Sequence, residues 1–150
     1  MQWRELDLNK GVWSLPTSRT KNGRPHDVPL SQPAIEILQG QVRRPGRVLV
    51  FGQGVGPFQG WSNAKRAFDK RLQAAGVAAP WRLHDIRRTV ATRMADLGVQ
   101  PHVVEAILNH ISGHKAGVAG VYNRSSYATE KRDALTLWSE HVMSLVEAAN

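Results

Sequence analysis

Proline and glycine interrupt the first sixty residues of this chain too often for a long helix, whereas the remainder repeats its apolar residues in helical periods. That contrast predicts an α+β fold, mainly helical, with a small antiparallel β-sheet near the N-terminus. Residues 11–15 and 26–30 are short apolar alternations. Asn22-Gly23 between them is a hairpin signal, because both residues tolerate positive φ. Pro16, Pro25 and Pro29 lack an N–H, which keeps these strands short or at sheet edges. Ser31 is placed to cap a helix through about residue 39, with Pro33 in its first turn and Ile35 and Leu38 facing inward. Seven glycines or prolines between Arg43 and Gly60 predict a loop, with a possible short strand at residues 48–51.

Helices are then expected over about residues 62–75, 84–97 and 101–109, and from about residue 129 onward. Their apolar stripes are Ala64, Ala67, Phe68 and Leu72; Ile86, Val90, Met94 and Leu97; and Ala134, Trp138, Val142 and Leu145. Gly76 and Gly98 stand where a helix-ending glycine belongs, and Gly113, Gly117 and Gly120 predict a loose loop.

Charge narrows the choice of partner. The chain holds 20 Lys and Arg against 12 Asp and Glu, a net of +8. The first 93 residues carry 16 bases and 6 acids, and the rest carry 4 and 6. A basic body of this kind suits a polyanion, with nucleic acid the usual one. The 150 residues suffice for one domain with a core. There is no cysteine, which excludes disulfides, Cys-zinc sites and thiol catalysis, and fits a reducing cytoplasm. No apolar run approaches the roughly 18 residues of a membrane span. The first ten residues lack a signal-peptide core.

Several residue patterns could carry chemistry. His84-Asp85-Ile86-Arg87-Arg88 lies at an expected helix start, where His84 can share a face with Arg87 or Arg88. An imidazole and a guanidinium beside helix-start N–H groups suit a phosphate. The same spacing also suits a solvated basic turn, or pairing with nearby carboxylates. His110 sits at an expected helix end, either as a protonated phosphate donor favoured by the dipole or as a cap for a carbonyl. His110 and His114 have a zinc-like spacing, but Asn109, Gly113 and Gly117 signal that the helix has ended, and no cysteine completes a site. Tyr122 follows a glycine-containing stretch, and as a nucleophile its phenol would need positive charge or a base nearby. By local sequence alone it reads first as a packing residue or a surface hydrogen bond. Lys21 lies in the basic hairpin tip Arg19-Thr20-Lys21-Asn22-Gly23-Arg24.

Taken in order, these pieces resemble the catalytic domain of tyrosine recombinases, in the phage and genomic-island integrase branch. The similarity rests on residues 3–8, on Arg19–Gly23 with Val28-Pro29-Leu30-Ser31, on residues 83–89, on Ile107-Leu108-Asn109-His110, and on Gly120-Val121-Tyr122. Each motif is weak alone, but five in the right order are specific. Glu130-Lys131-Arg132 with Ala134-Leu135 and Trp138 is also similar to island-type integrases. The resemblance implies site-specific recombination of double-stranded DNA through a 3′-phosphotyrosine intermediate, without metal or cofactor, by copies that self-associate on DNA. It implies Tyr122 as nucleophile and Arg87, His84 and His110 as phosphate-binding groups. Lys21 would be the acid that protonates the leaving 5′-oxygen.

The resemblance also departs from the family's pattern. A further arginine, in a Thr-Gly-x-Arg-x-x-Glu type of motif, belongs upstream of the segment matching Trp3. Arg4 lies within that later segment and does not replace it. The expectation is therefore one catalytic domain over residues 1–150, truncated on its N-terminal side, with little or no activity alone. A non-catalytic DNA-binding remnant of an integrase is the alternative. A metal-dependent hydrolase built on His84 and His110 is a more distant one.

Overall fold

A computed structural model describes residues 1–77, 79–110 and 125–149 of the chain. Three short strands form an antiparallel sheet in the order β1 (Leu6–Asp7), β2 (Val12–Leu15), β3 (His26–Pro29). β2 pairs Trp13 with Leu6 on one side and with Val28 on the other. Pro29 ends the edge strand β3, where its missing N–H costs no central ladder bond. Five α-helices follow among the described residues: α1 (Gln32–Gln39), α2 (Trp61–Ala74), α3 (Leu83–Asp96), α4 (Pro101–Ile107) and α5 (Ala128–Ala148). α5 crosses β3, α1, α3 and α4. Leu38, Met94, Val103, Val104, Ala106 and Ala134 are buried where these elements meet.

α5 is docked by a charge as well as by apolar contact. Lys131 is buried, and its ammonium donates to the Asp27 carbonyl of β3 at 2.6 Å. Met94 has no exposed surface at all. Met94→Ala is therefore expected to lower folding stability by about 2–5 kcal/mol, the range for emptying a packed core site. Denaturant titration checks this.

Three helices end in one way. At α2 the Val77 N–H bonds to the Leu72 carbonyl at 2.8 Å and Gly76 to Gln73 at 3.0 Å. At α3 Val99 bonds to Met94 at 3.0 Å and Gly98 to Ala95 at 2.9 Å. At α4 His110 bonds to Glu105 at 2.9 Å and Asn109 to Ala106 at 3.3 Å. These paired bonds are the Schellman arrangement, whose turning residue takes a left-handed backbone. Gly76 and Gly98 take it with φ of +79° and +85°, and Asn109 with φ of 52°.

The structure corrects several sequence expectations. Residues 48–51 do not form a strand. A single bridge between Gln2 and Leu49 stands there, flanked by the bonds Trp3 N–H to Val48 and Val50 N–H to Met1. The link between β2 and β3 is not a two-residue turn. It includes a 3-10 turn at Thr17–Arg19, and only Gly23, not Asn22, takes positive φ. The apolar stripe of α2 has no buried residue, and Phe68 is 42% exposed. It packs edge-on against Trp81, whose indole N–H donates to Asp69. On α3, Met94 is in the core but Ile86 is 52% exposed, because the first turns of that helix stand clear of it. Leu145 is exposed too, so the stripe of α5 stops short of it.

Candidate phosphate-binding cleft

The end of α4 and the start of α3 face the β2–β3 connection across an open cleft of about 1120 Å³. Lys21 lines it from the connection, His84 and Arg87 from the first turns of α3, and His110 from the residue pair that closes α4. Four of the five residues singled out by sequence therefore share one cavity, although they come from three separate parts of the chain. The fifth, Tyr122, lies outside the described residues, as do His114 and the expected loop from Gly113 to Gly120.

Each side chain has a local reason for its place. Asp85 sits in the first turn of α3 and accepts the Arg82 backbone N–H at 2.7 Å, which satisfies the helix start. Asp85 is also 3.5 Å from Arg88, whose side chain is 74% exposed. Among the described residues Arg87 has no carboxylate partner. It donates through Nη2 to the Leu108 carbonyl at 2.7 Å. A cation at the carbonyl end of α4 is favoured by the dipole, and the rest of the guanidinium fork remains for another acceptor. His110 follows directly after the αL residue that ends α4, so the same helix end positions both groups.

The connection carrying Lys21 is anchored from below by a buried carboxylate. Glu5 accepts the Gln2 backbone N–H at 2.9 Å and the Trp13 indole N–H at 3.2 Å, with Arg19 Nε 3.2 Å from its other oxygen. Burial pushes the Glu5 pKa up. The two N–H groups and the Arg19 charge outweigh that and hold it below the ordinary 4.5. A lowered folded pKa means that Glu5 stabilises the fold above the ordinary glutamate range. That stabilisation is lost as pH falls through the folded value. Glu5→Gln is expected to flatten the fall of melting temperature between pH 6 and 3 at about this range, which thermal melts across pH would show.

Arg88, which the sequence offered as an alternative to Arg87, also lines the cleft, so one helix offers two guanidiniums. Sequence reasoning missed other parts of the cleft. His26 lines it from β3, its Nε2 3.1 Å from the Ile107 carbonyl. Asn22 and Asn109 line it as a bonded pair. His26 stood in a recognised strand alternation, but nothing local distinguished it. The cleft lining holds arginine, lysine and histidine and, among the described residues, no carboxylate. Such a surface attracts an anion and suits charge building up on a phosphoryl oxygen. Among the described residues no group of three His, Cys, Asp or Glu side chains is placed to hold a metal. No helix among them is long and apolar enough to cross a membrane.

Comparison with known proteins identifies the family. The phage integrase family matches residues 1–128. The prophage integrase IntA of Escherichia coli K12 is 32% identical over 152 residues, covering 99% of this chain and 34% of that protein. The prophage integrase IntZ of the same strain is 30% identical, covering 97% of this chain and 35% of that protein. The shufflon-specific DNA recombinase of Escherichia coli is 34% identical over 117 residues, covering 77% and 27%. The chain thus spans about a third of the length of the curated relatives it matches. No solved structure matches it.

Proposed function

The chain belongs to the phage integrase family, and from that premise we propose that residues 1–150 act as the catalytic domain of a site-specific DNA recombinase. The observation that carries this reading is the cleft lined by Lys21, His84, Arg87 and His110 and, among the described residues, by no carboxylate. In the proposed reaction the Tyr122 hydroxyl oxygen attacks a DNA phosphorus as its proton passes to His84. The bond to the 5′-oxygen breaks, and a 3′-phosphotyrosine link forms. Arg87, His84 and His110 hold the non-bridging oxygens, and their donors grip harder as charge grows on them. Lys21 gives a proton to the departing 5′-oxygen. A 5′-hydroxyl then attacks the phosphotyrosine, giving its proton back to Lys21. The bond from phosphorus to Tyr122 breaks, and the phenol regains its proton from His84. The phosphodiester is restored, so the bond energy is conserved and no outside reactant is consumed.

The partner is double-stranded DNA, met in the cytoplasm, and copies of the chain associate on it. The exposed apolar residues Met143, Leu145 and Val146 near the end of α5 support that association. The test is a pool of random-sequence nicked duplexes, in which cleavage beside the nick releases a short fragment and traps the adduct. The expected result is a faint protein–DNA band, in keeping with weak activity of this chain alone, that survives denaturant and forms with chelator present. Strand cleavage that a chelator abolishes, with no such band, would overturn the reading.

A further inference from the structure

We propose that Asn22 and Asn109 are positioning residues: a side-chain latch between the β2–β3 connection and the end of α4 that holds Lys21 in register with His110. The inference rests on the recombinase reading of the cleft and adds to it two residues that touch no reacting atom.

The latch is reciprocal. Asn22 Nδ2 donates to Asn109 Oδ1 at 2.8 Å and reaches the Asn109 carbonyl at 3.3 Å, while Asn109 Nδ2 returns to Asn22 Oδ1 at 3.5 Å. The orientation of the Asn22 amide is fixed independently. Its Oδ1 accepts the Arg24 backbone N–H at 3.1 Å, and a backbone N–H can only donate. Nδ2 must therefore face Asn109. Asn22 thus shapes its own turn with one atom and ties that turn to α4 with the other. Its neighbour in sequence is Lys21, and the neighbour of Asn109 is His110.

The comparison between helix ends explains why asparagine stands at residue 109. α2 and α3 close the same Schellman turn with Gly76 and Gly98, the residue that takes left-handed φ without a Cβ penalty. α4 closes it with Asn109. Asparagine tolerates that region less readily than glycine, so helix ending alone does not account for it. The side chain accounts for it, because it bonds Asn22 across the cleft. Lys21 is on a long, flexible stem in a connection with no strand partner of its own. Fixing the backbone beside it removes much of that freedom before a phosphate arrives.

Asn109→Gly separates this role from a structural one. Glycine keeps the helix end, so the melting temperature should hold or rise, while the latch is lost. The experiment follows the side-chain nitrogen resonances of isotope-labelled lysine and histidine in the full 150-residue chain during titration with orthovanadate. In the wild type the Lys21 and His110 signals should shift together with one midpoint. In Asn109→Gly, and likewise in Asn22→Ala, His110 should still respond and the Lys21 response should be lost. Lys21 and His110 responding together in Asn109→Gly would overturn the latch and leave the cleft reading intact. A wild type in which His110 responds and Lys21 does not would also overturn it. A wild type in which neither responds would overturn the phosphate site itself, and the latch with it.

Discussion

Tyr122→Phe is expected to abolish the covalent protein–DNA band, a fall of about 10⁴-fold or more, while Tyr127→Phe keeps it. The substitution removes one oxygen and leaves the ring. What disappears is the atom that would bond to phosphorus, and neither arginine nor histidine in the cleft can replace it in a stable phosphoester. Tyr127 has a different task. It precedes α5 with φ of 48°, and its carbonyl accepts the Lys131 N–H at 2.8 Å. Its ring lies 5.0 Å from that of His102. It is engaged in starting a helix and in packing against α4. Denaturing electrophoresis of both variants after incubation with nicked duplexes decides the matter. If the band moved with Tyr127 instead, the nucleophile assignment would be wrong. A band in Tyr122→Phe and Tyr127→Phe alike would place the covalent chemistry elsewhere.

The helices were legible because their stop signals are local. Gly76 and Gly98 mark ends that need only their own turn, and both ends fall where the sequence puts them. Burial was less legible, because an apolar stripe states which face could be covered and not whether a neighbour arrives. Phe68 and Ile86 satisfy helical spacing and remain exposed. The converse holds for Glu5 and Lys131, charged residues that are buried because Trp13, Arg19 and the Asp27 carbonyl meet them there. Those partners lie as far as 104 residues away in sequence, and spacing does not report them. The cleft divides in the same way. Lys21, His84, Arg87 and His110 were readable from motifs in order, whereas the bond between Asn22 and Asn109, which stand inside two of those motifs, was not. Asn22 reads as a turn former, yet it keeps an ordinary backbone and spends its amide on a residue 87 positions away.

Arg87→Ala is expected to slow adduct formation by about 10²–10³-fold, or about 2.7–4 kcal/mol of transition-state stabilisation, the scale for losing one preorganised donor to a phosphoryl oxygen. Arg88→Ala is expected to change it by about threefold or less, within what an exposed surface ion pair contributes. Both arginines line the cleft, so lining alone does not rank them. Their partners do. Arg88 is 74% exposed and lies 3.5 Å from the Asp85 carboxylate, which already offsets its charge. Arg87 is held by the Leu108 carbonyl at 2.7 Å, a neutral acceptor that orients the guanidinium without cancelling it. A positive group fixed by one bond, with no acid paired to it among the described residues, is preorganised for an anion. Arg87→Lys sharpens the distinction. It keeps the charge but loses the planar fork that can bond Leu108 and a phosphate together, so it should recover little of the loss. If lysine restored the rate, Arg87 would act by charge alone. Equal losses for Arg87→Ala and Arg88→Ala would mean that the Leu108 bond does not select the working guanidinium.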